Sequence, residues 1–282
     1  MRVFLGHHKC ASSWFSGFQS QIANRLGATF KESDRKPVGT AFSGSENRMG
    51  GENVDFLSIR NAHKKVLREN GLLDHPCIHV VRDPRDILVS AYYSHLKSHP
   101  VSGWPELIEI RNELNSLDLA QGLARELELL APVFEDLSSF LDGEGTERIL
   151  CIKYEDFCTN NYGAVIQMMN HWDLIDEHDL TAARSLQRGL IRCYNGVVER
   201  LGIGGFRYKR TNLGADEGLG IAYQMRFEKL ADGRERGEVD ESSHLRSGVA
   251  GGWRGVLAGD ALKRLESEWK HLFEGYRYEL SG

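Results

Sequence analysis

Short unbroken apolar runs alternate along this chain with longer stretches in which apolar residues recur every three or four positions. The runs at 3–6, 77–81 (CIHVV) and 148–153 (RILCIK) have the length and composition of strands buried on both faces. A weaker run at 54–59 predicts a fourth strand. Between them the period lengthens. Trp14, Phe15, Phe18 and Ile22 predict a helix over 13–26, and a short helix is expected over 62–70, ending at Gly71. Asp83-Pro84 directly follows the 77–81 run, an N-cap with proline at the first helical position, so a helix should run through ILVSAYYSHL. Two helices are expected between 104 and 141, one over 161–172 and one over about 179–198.

Strands alternating with helices predict an α/β fold with a mainly parallel central sheet flanked by helices, a P-loop-like three-layer arrangement in one domain, 1–282. Ligands in such sheets bind beyond the carboxyl ends of the strands. Two segments lose the pattern. Residues 29–53 are rich in glycine, serine and charge and are expected to be a loop. Residues 201–243, with eight glycines from Gly202 to Gly237, are expected to be a mobile lid or insertion.

Charge and composition narrow the function classes. A net charge of -5 leaves no global basic field of the kind that attracts nucleic acid, so any bound anion needs a local pocket. No apolar run reaches the ~20 residues of a membrane span, and no basic segment followed by an apolar one opens the sequence as a signal peptide would. Five scattered cysteines, an odd number, argue against a disulfide framework and for a reducing, cytoplasmic setting.

The chemistry concentrates at two strand ends. In RVFLGHHKCASSWFSGF, a strand runs into Lys9, then into the small residues Cys10, Ala11, Ser12 and Ser13, then into a helix. Free N–H groups at a helix start, small residues that let backbone approach, a full positive charge and two hydroxyls suit phosphate or sulfate. The order is not GxxxxGK[ST], because the lysine precedes the small residues, which disfavours an ordinary ATP-binding loop and a kinase. In VVRDPRDILVSAYYSH, Arg82 leaves a strand end and Ser90 lies eight residues on. An arginine fork and a hydroxyl there suit a second phosphate.

These stretches resemble the motifs of the PAPS-dependent sulfotransferases. K-C-A-S-S-W is similar to their 5′-phosphosulfate loop, usually K-x-G-T-T-W, and R-D-P-R-D-I-L-V-S to their 3′-phosphate motif. R-S-G-V-A-G-G-W, from Arg246 to Trp253, is similar to their R-K-G-x-x-G-x-W segment, with Ser247 in place of the lysine. The resemblance implies that PAPS is the donor and adenosine 3′,5′-bisphosphate the product. It implies that Lys9 assists the leaving phosphate and that Ser12 and Ser13, with backbone around Cys10 and Ala11, hold the 5′-phosphate. It further implies that Arg82, Ser90, Arg246 and the backbone of Gly248 hold the 3′-phosphate. Trp14 and Tyr154 would lie near the nucleotide, though both also suit a core.

The base that takes the acceptor's proton is less determined. His63, in SIRNAHKKV, stands upstream of Arg82 at a spacing similar to the catalytic histidine of the family's cytosolic branch, without that branch's K-T-H-L-P context. Glu32 is its competitor. His95 and His99 follow the Arg82 helix and are not counted among the catalytic groups. His7, His8 and Cys10, and the alternate His75, Cys77 and His79, lack the paired spacing of common zinc sites, so no metal is expected. The acceptor, whether glycan, lipid or small molecule, is not written in the sequence, although FRYKRTN (206–212) offers cations to an anionic one. The rival from another class is a binding protein that keeps the fold and transfers nothing.

Overall fold

The computed structural model describes residues 1–34, 54–102, 104–143, 145–175 and 182–281. Five parallel strands form one sheet: β1 (Arg2–Leu5), β2 (Phe30–Asp34), β3 (Phe56–Arg60), β4 (Cys77–Val81) and β5 (Ile149–Lys153). Their spatial order is β2-β3-β1-β4-β5, with every neighbouring pair parallel. This is the predicted α/β architecture. The chain winds one way from β1 to β2 and β3 and the other way from β4 to β5. The switch of direction therefore falls between β1 and β4, where crevices form in such sheets.

Strand alternation divides the core into two layers. Phe4, Ile78 and Val80 face one side, under α1 (Ser12–Leu26), α3 (Pro84–Tyr93), α5 (Leu119–Ser138) and α7 (Asn161–His171). Val3, Leu5, Leu57, Ile59 and Cys77 face the other, under Leu67 of α2 (Lys64–Glu69) and Phe140. β4 is buried along its whole length, which is why its sequence reads as an unbroken apolar run. α4 (Leu107–Ser116) and α5 are the two helices expected between 104 and 141, α5 opening on a reciprocal Asp118–Gln121 capping box.

Three elements depart from the expectation. β2 lies inside the segment expected to be a loop, whose remaining residues 35–53 are outside the described ones. Its sequence FKESD has one apolar residue, because it is an edge strand paired on one side only, with β3. A short helix, α6 (Tyr154–Thr159), joins β5 to α7. The segment 201–243 carries α9 (Ala215–Gln224) and α10 (Phe227–Leu230), following α8 (Ala182–Arg200). Gly218 and Gly220 hid α9 from a propensity reading. Gly218 is there for packing: a Cβ on it would lie 2.0 Å from the Met169 sulfur of α7. Two last helices, α11 (Gly259–Glu268) and α12 (Lys270–Gly275), close the fold.

The cations of 206–212 are spent within the chain. Arg207 donates to Asn24, Lys209 pairs with Asp55 at 3.0 Å, and Arg210 grips both oxygens of Glu217 at 2.9 and 2.6 Å.

Candidate active site

The loop between β1 and α1 turns sharply. Lys9 (φ 62°) and Ala11 (φ 56°) both lie in the left-handed region that L side chains rarely adopt. At Ala11 the resembled motif has glycine, and the backbone supplies the reason: glycine enters this region without the steric cost an alanine meets. Internal hydrogen bonds hold the turn. Ser12 Oγ donates to the His7 carbonyl at 2.7 Å, and the Cys10 N–H to the same carbonyl at 3.2 Å. Neighbouring β3 clamps its root, because Gly6 N–H donates to Ile59 O and Ala62 N–H to Gly6 O. Burial pushes the Cys10 thiol up to about 12, so it enters the site as a neutral group whose backbone matters.

Arg82 leaves the end of β4 and joins the two strand ends directly. Its Nη1 donates to the Lys9 carbonyl at 2.9 Å, and its guanidinium lies over the Tyr154 ring, 4.4 Å from the centroid. Its Nε is buried and finds no acceptor within the described protein. A buried guanidinium N–H without a partner fits a bound anion. Tyr154 thus serves as a platform for Arg82 at the start of α6, with its phenol pushed up by burial.

The third motif docks on the second. Asp86, in the first turn of α3 and 1% exposed, accepts the N–H of Gly251 at 2.6 Å and of Trp253 at 3.0 Å. Arg85 is consumed as a brace, paired with Asp83 at 2.8 Å and Glu266 at 2.9 Å and stacked 4.1 Å from Trp253. Arg234 fastens the strap leading to Arg246, donating to the Arg246 carbonyl at 2.6 Å and to Ser243 Oγ at 3.1 Å. Arg246 lies over Tyr93, 5.3 Å from its centroid, and Gly248 (φ 65°) packs on Phe227. Ser90 is half-buried one turn before Tyr93 on α3.

Lys9, Arg82 and Arg246 consequently share one electrostatic neighbourhood. Desolvation, and then the charge of Arg82, bring the Lys9 ammonium down to about 7; Glu126 pulls the other way, and Arg246 adds the smallest push downward. Arg246 is lowered too, by burial and then by Arg82. Such a cluster favours an anion.

The remaining expected residues fall into place unevenly. Ser13 is exposed at the start of α1. Trp14 donates its indole N–H to Met225 O at 2.7 Å and packs on Phe18 and Phe157, which makes it a core residue tying α1 to the segment after α9. His63 caps α2, its Nδ1 accepting the Lys65 N–H at 3.2 Å. Glu32 accepts from Ser16 at 2.6 Å and pairs with Arg60 at 2.8 Å. His95 is buried. His7 and His79 meet Nε2 to Nε2 at 2.7 Å inside the second core layer, and burial takes His79 down to about 3. Among the described residues no group of three or more His, Cys, Asp or Glu side chains is arranged to hold a metal, no helix is long and apolar enough to cross a membrane, and the five cysteines are free thiols.

Comparison with known proteins agrees with this picture over part of the chain. The family model described as "Sulfotransferase domain" matches residues 65–175, the span that holds Arg82, Ser90 and Tyr154. No curated protein matches in sequence. Similar solved structures include a mouse sulfotransferase complexed with PAP, 12% identical, with 98% of this chain and 87% of that one covered at a TM-score of 0.48. Retinol dehydratase in complex with androsterone and inactive cofactor PAP is 13% identical, with 97% and 80% covered at a TM-score of 0.48.

Two outcomes are expected. An anion beside Lys9 raises its pKa, so binding a phosphate-bearing anion there takes up a proton above pH 7, and affinity falls by up to about tenfold per pH unit as the free lysine loses its charge. Calorimetry in buffers of different ionisation enthalpy reads this uptake, which Lys9→Arg abolishes. Asp86→Ala strips two N–H groups of their acceptor, at roughly 1–3 kcal/mol each. It should lower the melting temperature and also weaken anion binding by releasing the 246–253 strap.

Proposed function

We propose that this chain, which belongs to the sulfotransferase family through its segment 65–175, transfers a sulfuryl group from PAPS to a hydroxyl or amine of an acceptor and releases adenosine 3′,5′-bisphosphate. The observation that carries the reading is the convergence of Lys9, Arg82 and Arg246. Three motifs far apart in sequence deliver three cations to the switch point of a parallel sheet, and one keeps a buried N–H without an acceptor.

The roles follow from charge and position. Lys9, beside the loop that holds the 5′-phosphate, offsets the negative charge growing on the bridging oxygen as the sulfur–oxygen bond breaks. Ser12, Ser13 and the N–H groups at the start of α1 cradle that phosphate, with the αL turn at Ala11 aiming them. Arg82, Ser90, Arg246 and Gly248 take the 3′-phosphate, which distinguishes this donor from ADP or ATP. In-line transfer places the acceptor on the far side of the sulfur, so positioning and charge neutralisation supply most of the catalysis and the scheme uses no metal. Residues 201–243 act as a cover over the donor. Trp14 holding Met225, and Arg236 donating to the Cys158 carbonyl at 3.1 Å, support that role. Free thiols throughout support a reducing compartment.

Titration with adenosine 3′,5′-bisphosphate and with ADP in the presence of a chelator tests the donor class. The bisphosphate should bind at least about tenfold more tightly than ADP, and Arg82→Ala should abolish that preference, since a charge-assisted contact of ~1.5–3 kcal/mol is lost. Equal affinity for both nucleotides overturns the assignment and returns the chain to a generic nucleotide-binding role.

A further inference from the structure

Beside Lys9 stands a group of side chains that the donor contacts leave unused. His8 Nε2 lies 3.0 Å from His95 Nε2, and the two imidazoles stack with centroids 5.1 Å apart. His95 Nδ1 in turn lies 2.8 Å from Oε1 of Glu126, and both residues are sealed from solvent. Glu126, on α5, is fully buried, and neither of its oxygens nor His95 Nδ1 completes a hydrogen bond of good geometry within the described protein, so the 2.8 Å approach brings together two otherwise unsatisfied groups. His99 and Trp104 set their rings edge-on against His95, at 5.5 and 5.1 Å. Arg111 of α4 pins the turn that carries both histidines, donating to the His95 and His99 carbonyls at 2.8 Å each. His95 belongs to a single π-helical turn, Ser94–Ser98, that continues α3, a distortion common at functional sites.

A carboxylate buried with a histidine as its partner fixes that histidine's tautomer. Because the group facing His95 Nδ1 is the Glu126 carboxyl, the proton is assigned to Nδ1 and the lone pair to Nε2. The bond to His8 must then run from His8 Nε2–H to His95 Nε2, which leaves the lone pair of His8 on Nδ1. Burial first, and then His95, Lys9, His99 and His244, hold His8 well below the usual histidine range, so it is neutral at pH 7. His99 is likewise held down to about 4, and His244 is lowered by burial and by Lys9. Among the described residues, the acid in contact with His95, and so placed to meet a positive charge there, is Glu126.

We propose that His8, backed by His95 and Glu126, is the general base of sulfuryl transfer in this chain, in place of the His63 expected from sequence. The inference rests on the sulfotransferase reading. As the acceptor oxygen or nitrogen bonds to sulfur and the sulfur–oxygen bond to the 5′-phosphate breaks, the acceptor's proton passes to His8 Nδ1. His8 hands its Nε2 proton to His95 Nε2, so the charge ends as an imidazolium against the Glu126 carboxylate. The proton returns by the same route and leaves to solvent once both products depart. His8 is the catalytic residue, while His95 and Glu126 are positioning residues that set the tautomer and hold the charge. His63 gives its Nδ1 to the α2 N-terminus, and Glu32 is tied to Ser16 and Arg60.

Two measurements test the assignment on the full chain. Nitrogen-15 NMR of the imidazoles at pH 7, with adenosine 3′,5′-bisphosphate present, should show His95 protonated at Nδ1 and His8 at Nε2. Glu126→Gln should move both sets of signals. A His8 carrying its proton on Nδ1, or His8 signals indifferent to Glu126→Gln, overturns the relay. The second measurement is sulfate release from PAPS with water as the acceptor. His8→Ala should slow it about 100-fold or more with bisphosphate affinity unchanged, and added imidazole should restore part of the rate. Glu126→Gln should lower kcat and shift its pH profile. Wild-type release in His8→Ala, or a comparable loss in His63→Ala alone, returns the base to another residue. Failure of the nucleotide itself to bind would sink the donor assignment, and the NMR tautomers would still report on the relay.

Discussion

Repulsion among like charges is the constraint around which this molecule is arranged. Lys9, Arg82 and Arg246 are brought together in a recess where desolvation already penalises each cation, and the Lys9 ammonium falls to about 7 as a result. Such an arrangement survives only if the backbone is fastened independently of the charges. The Lys9 carbonyl is held by Arg82, the 246–253 strap by Asp86, and the strap's far limb by Arg234. Acids that act on the cluster include Glu126 at Lys9 and Asp86 at both Arg82 and Arg246, and at Lys9 desolvation outweighs the acid. The site is thus preorganised for anionic oxygens, the condition under which fixed charges do most for a reaction that develops negative charge.

The same recess separates two jobs by side. In the proposed scheme the phosphate-binding groups come from the ends of β1 and β4 and from the C-terminal strap, whereas the imidazoles come from the His8 backbone turn and from the distorted end of α3, backed by Glu126 of α5. Lys9 sits where the two sets meet, feeling Arg82 on one side and Glu126 on the other. In the proposed scheme the cation that stabilises the departing phosphate also adds, after burial and His95, to what holds His8 unprotonated. One charge therefore tunes both halves of the reaction.

Much of this was legible in the sequence because strand ends announce themselves. The mainly apolar β4 and the Asp83-Pro84 signal fixed the position of Arg82, and the run of small residues after Lys9 marked a tight turn. What the pattern hid has physical causes. β2 is an edge strand with one apolar residue, α9 contains glycines needed for contact with Met169, and neither yields a periodic signal. Trp14 and Tyr154 carry polar tips that suit a ligand as well as a core, and only the fold shows one tied to Met225 and the other beneath Arg82. His8 and His95 lie far apart in the chain, and their pairing depends on how α3 ends against α5, a tertiary fact with no local spacing to reveal it. The pairing of Glu126 with His95 is hidden for the same reason, since a glutamate in a leucine-rich helix reads as an exposed position.

The central place of β1 also governs how the molecule acquires its shape. Arg2 registers with Phe56 and Val3 with Cys77, so the innermost strand has no partner close to it in the chain. Its turn cannot be stabilised by any local hairpin and must wait for two long loops to close, whose entropy cost precedes the gain from pairing. Folding should accordingly be slow and cooperative, with the Lys9 turn among the last regions to set. Until then the apolar edges of β1 and β4 stand open to other chains, which makes the folding pathway, rather than the finished fold, the stage most exposed to aggregation.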